Sequence, residues 1–71
     1  MTEQEALEAV RRTTHDYVTA VEKDVLDSEE IDWLEWLQRR SVVHALDAGC
    51  PPDAIKGAAI NGVEEVVACS V

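Results

Sequence analysis

Apolar residues recur at spacings of three and four through the first third of the chain. Leu7, Val10, Tyr17, Val18, Val21 and Val25 share one stripe, with Thr14 filling a gap in it. That period predicts an amphipathic helix over about residues 3–25. Glu8, Arg11, Arg12 and His15 fall off the stripe. Thr2-Glu3-Gln4-Glu5 has the spacing of a capping box, in which a hydroxyl and a carboxylate satisfy the free amides of a first turn. The valines at 18, 21 and 25 are weak helix formers, so packing has to hold that end. The β-branched residues do not alternate with polar ones, which argues against a strand.

A second helical pattern runs from Ser28 to Gly49. Leu26, Asp27, Glu30 and Ile31 fit N′, N-cap, N3 and N4, so Asp27 and Glu30 can form a capping box and Leu26 and Ile31 a hydrophobic staple. Glu29, Glu30 and Asp32 put negative charge at the positive end of the helix dipole. Gly49 suits the residue after the C-cap, and Pro51-Pro52 forbids continuation. At about 100° per residue this helix shows two apolar faces. Ile31, Leu34, Leu37, Val42, Ala45 and Leu46 share a broad arc, assigned to the core. Trp33, Trp36 and Val43 lie roughly opposite, beside Arg40, and Trp36 with Arg40 is spaced for a cation–π contact of about 0.5–1 kcal/mol. Either neighbouring helices cover both faces, or the tryptophan face meets another chain, since aromatics and arginine favour interface centres.

After the prolines, Ile55, Ala58, Ala59, Val63, Val66 and Val67 make a stripe that runs straight through Gly62. One helix over 52–69 satisfies it. Asn61-Gly62 is also a turn-forming pair, with Asn61 and Glu64 spaced as another capping box. The competing reading is therefore two shorter helices that break there. Residues 26–28 leave a short connection, so the first two helices should form an antiparallel hairpin. The expected fold is all-α, a small bundle of three helices, or four if the last one breaks, as one domain over 1–71.

Two stretches are similar in outline to known helical motifs. AAINGVEEVV at Ala58 to Val67 resembles the inter-helix turn of an ankyrin repeat, and ALDAG the close of one. The loop between them is missing and the chain holds no second repeat. Val42 to Val71 resembles a helix-turn-helix, which makes the segment from Val63 onward the recognition helix. That segment carries Glu64 and Glu65 with no Arg or Lys, the wrong charge to approach phosphates. Both are shared helical-hairpin grammar rather than kinship.

Charge sharpens the picture. The chain has 71 residues and a net charge of −9. Residues 1–36 carry 11 acids against 3 bases, and residues 37–71 carry 4 against 3. Acids are densest from Glu22 to Glu35, where Lys23 is the only base. The balance disfavours direct nucleic-acid binding, which draws on basic groups and counterion release. A salt-adapted host also produces an acid excess of this kind. At this length a chain buries only about 60% of its unfolded surface, so a partner or a second copy is a natural supplement. The apolar runs are too short to span a membrane, and the acidic, polar start is unlike a targeting signal, so a cytoplasmic location is expected.

Chemistry finds little support. His15 and His44 have no metal-ligand spacing, and Cys50 and Cys69 form no CxxC, so no metal and no cofactor is expected. On one continuous helix the two cysteines stand about 28 Å apart, too far for a disulfide, whereas a hairpin folded at Asn61-Gly62 lets them approach; free thiols are the expectation for a cytoplasmic chain. Gly49, Gly57 and Gly62 are dispersed and make no phosphate loop. Ser28, Ser41 and Ser70 have no recognisable base. The expectation is a non-catalytic module that docks on a protein partner with a basic surface and regulates or inhibits it, a profile of size and charge shared with small accessory and phage-encoded inhibitors. Trp33, Trp36, Arg40 and Val43 supply the apolar centre, and Glu29, Glu30, Asp32 and Glu35 steer the partner. The alternatives are nucleic-acid mimicry by the carboxylates, a homodimer closed by the tryptophan face, and a degenerate helix-turn-helix.

Overall fold

The structure, a computed structural model, describes residues 2–24 and 27–69, the side chain of Cys69 excepted. It contains α1 (Glu3–Lys23), α2 (Ser28–Asp47) and α3 (Pro52–Cys69). Their ends follow from local chemistry. Thr2 is the N-cap of α1, and its Oγ1 accepts from the Glu5 amide at 3.1 Å while donating to the Glu5 carboxylate. Asp24 ends the helix in the left-handed region, φ 52°, with its amide on the Ala20 carbonyl. This stop falls earlier than the valine stripe suggests. Asp27 caps α2, its Oδ1 accepting from the Glu30 amide at 2.9 Å. The staple partner Leu26 lies outside the described residues, as does Val25. At the far end Gly49 has φ 90°, its amide donates to the Leu46 carbonyl, and the Cys50 amide donates to the Ala45 carbonyl. That pair of bonds is a Schellman motif, which needs a residue free of Cβ strain.

The third stretch is one unbroken helix. Neither the turn of an ankyrin-like hairpin nor a separate recognition helix exists at Asn61-Gly62. The reason is contact rather than local preference. A Cβ on Gly62 would stand 2.5 Å from the Arg11 carbonyl oxygen and 3.2 Å from Thr14 Cβ, so the glycine lets α3 lie directly on the α1 backbone. Cys50 is a buried free thiol, and Cys69 closes the far end of α3, about 25 Å along the helix from Pro52.

Helix α1 is the spine. It packs along both α2 and α3, which touch each other sparsely. Thr13 meets Ser41 and Thr14 meets Gln38, so α2 runs antiparallel to α1, whereas Cys50 reaches the Glu3 carbonyl and Glu65 reaches Arg11, so α3 runs parallel to it. The result is a flattened body with extents of 35 × 28 × 16 Å. Its core is built of small residues, Ala6, Val10, Ala45 and Cys50 with Ile55. The arc of α2 assigned to the core is only partly right. Ser41 and Ala45 are buried, Ile31, Leu34, Leu37 and Val42 are half-buried, and Leu46 is 51% exposed. With α3 barely touching α2, no helix among the described residues covers Leu46. Among the described residues no helix is long and apolar enough to cross a membrane.

Candidate protein-contact face

The face of α2 that points away from α1 is where large apolar groups meet solvent. Trp33 and Trp36, one turn apart, stack with ring centroids 5.1 Å apart and planes 17° from parallel. They are 58% and 45% exposed, far above what a tryptophan serving a core shows. The Arg40 guanidinium lies 5.1 Å from the Trp36 ring centroid, the i,i+4 contact the spacing predicts. It is held there by an aromatic rather than a carboxylate: among the described residues no acid lies within ion-pair distance of Arg40. Val43, two turns beyond Trp36, continues the strip and is 52% exposed. The stack, the guanidinium and the valine form an apolar ridge with one cation near its end.

The acids divide into two groups. Glu29, Glu30 and Asp32 are exposed at the start of α2, and Glu29 and Glu30 join Trp33 and Leu34 around an open, mostly apolar depression of about 410 Å³. Leu34 belongs to this surface as well as to the inner arc. Glu35 is set apart. It lies about 100° around the helix from Trp36, half-buried, and accepts from Arg39 at 2.5 Å. It contributes to the field of the helix rather than to the ridge.

A second charged constellation ties α1 to α3. Arg11 donates from Nη1 to both Glu65 oxygens at 2.7 and 2.6 Å, and its Nε and Nη2 bind Glu8. The bonds from Arg11 hold the Glu8 carboxyl below its ordinary value, and the two carboxylates raise the arginine. This clamp joins residues 54 positions apart, and no local pattern announces it. Among the described residues no three His, Cys, Asp or Glu side chains come together as a metal site. No family model, curated protein or solved structure matches the chain.

Proposed function

We propose that this chain is a non-catalytic protein-binding module whose contact centre is the ridge of Trp33, Trp36, Arg40 and Val43, and that it regulates or inhibits the protein it docks on. The observation that supports this is the outward tryptophan stack, a large preorganised apolar surface that the chain's own helices leave uncovered. Stacking fixes the rings before binding, so little side-chain entropy remains to be lost on docking. Aromatics backed by an arginine are the composition of interface hot spots. Glu29, Glu30 and Asp32 beside the ridge, within a chain of net charge −9, accelerate encounter with a basic surface.

A photo-crosslinking residue at the exposed position 32 beside the ridge, with one at the exposed Asp16 of α1 as control, identifies the partner for a titration with purified proteins. Trp36→Ala is expected to weaken that complex by at least about tenfold, the scale of a hot-spot truncation. Reversing Glu29, Glu30 and Asp32 to lysine is expected mainly to slow association. Intact binding by Trp36→Ala, with binding abolished by the charge reversals, would move the reading to nucleic-acid mimicry.

A further inference from the structure

The contact face is complementary to itself. Glu29, Trp33, Trp36 and Arg40 follow one another at spacings of four, three and four, the rhythm of a helix–helix seam, and fall within about 60° of arc on α2. The sequence of types along that seam is acid, aromatic, aromatic, base. Glu29 stands four residues before one tryptophan and Arg40 four residues after the other. The row is thus symmetric in position and antisymmetric in charge about a point between the rings. All four side chains are exposed, and among the described residues neither Glu29 nor Arg40 has an ion-pair partner.

We infer that in the free protein this face is occupied by a second copy of the chain, with the two α2 helices antiparallel about a two-fold axis between Trp33 and Trp36. The inference rests on the reading of this face as the contact surface. The axis sets Trp33 of one copy beside Trp36 of the other. It also sets Glu29 across from Arg40 twice, with the helix dipoles opposed. A parallel pairing brings Glu29 against Glu29 and Arg40 against Arg40, so the charges select the antiparallel form. The depression between Glu29, Glu30, Trp33 and Leu34 receives the tryptophan and guanidinium of the opposing helix. At physiological ionic strength the screening length is about 8 Å, so the remaining acids of the two copies repel only where they are neighbours. One face of a 20-residue helix is about 30 Å long. That covers less than the roughly 800 Å² per partner of a standard interface. The dimer is therefore weak and exchangeable, and a protein partner that uses the same ridge displaces it.

Sedimentation velocity over a wide concentration series, with circular dichroism to verify helix content, tests the pairing. The wild type is expected to pass from monomer to dimer as concentration rises. Glu29→Arg and Arg40→Glu, each alone, put like charges in register and are expected to stay monomeric. Mixed in equal amounts they restore both pairs and are expected to form a heterodimer. Trp36→Ala is expected to be monomeric throughout. Three results would overturn the inference: a wild type that is monomeric at every concentration, a dimer that survives Trp36→Ala, or single reversals that mix without associating. A monomeric wild type whose tryptophans are quenched by acrylamide would leave the contact-face reading standing. Tryptophans shielded in that monomer would sink both.

Discussion

Asp24 carries the one positive φ among the described non-glycine residues, and it ends α1. An L side chain in that region meets its own carbonyl, and only glycine escapes the cost. Asp24→Gly is therefore expected to stabilise the protein by about 0.5–1 kcal/mol in urea unfolding, and it also thins the acidic run. Gly62 gives the opposite case. Alanine favours an isolated helix by about 1 kcal/mol, but here its Cβ meets the Arg11 carbonyl, a main-chain atom that cannot swing aside. The helices must part, and Gly62→Ala is expected to cost about 1–3 kcal/mol. A gain in stability would show that α3 does not sit against α1 as described. Sequence alone leaves Gly62 open between a turn and the interior of one helix, because a glycine after asparagine looks the same in both. The deciding atoms lie on another helix, about fifty residues away in the chain.

At the scale of helices, the ends were legible and the seams were not. Thr2, Asp27 and Gly49 act through neighbours within a few residues, so their roles stand in the local sequence. The α1–α2 seam uses hydroxyls: Thr13 and Ser41 lie 2.7 Å apart, and the Gln38 amide donates to Thr14. A reading that follows apolar periodicity passes over such a seam. It placed Leu46 in the core by angle, although angle alone cannot say how far away the next helix stands. The Arg11 clamp was equally hidden, and its consequence is a dependence on pH. The folded state holds Glu8 below its ordinary value of 4.5, so it binds that proton less readily than the unfolded chain does. The resulting stability is complete above the unfolded value and disappears as pH falls through the lower, folded one. Replacing Arg11 with methionine removes the cause. In parallel urea titrations the wild type is expected to lose more stability than Arg11→Met on acidification through the carboxylate range. Equal losses would mean that the clamp contributes nothing in solution.

Over the whole molecule, two flanking helices rest on one spine and leave large side chains outside. The buried core is mostly alanine, valine and small polar groups, while Trp33, Trp36, Val43, Leu46, Ile60, Val63 and Val67 are all more than a third exposed. A body of this kind keeps much of its large apolar surface outside its own interior. Its charge is also lopsided, with the acids concentrated in α1 and the first half of α2. One edge of α2 thus combines aromatic surface, a cation with no ion-pair partner among the described residues and a negative surround, and both the proposed docking of a basic partner and the inferred self-pairing draw on it. Loss of that edge should leave the fold intact. Trp33→Ala with Trp36→Ala is expected to change unfolding free energy by no more than about 1 kcal/mol at concentrations where the protein is monomeric, as exposed positions do. A loss of several kcal/mol would place the tryptophans in the fold rather than in a contact.

The most direct test is quenching of tryptophan fluorescence by acrylamide, a neutral quencher that the surrounding acids do not repel, across a dilution series that spans the monomer. The tryptophan ridge should be quenched in the dilute monomer and become protected as concentration rises or partner is added. Protection that persists at the greatest dilution would contradict this account, because the rings would then be covered by the chain itself and no contact face would exist on α2.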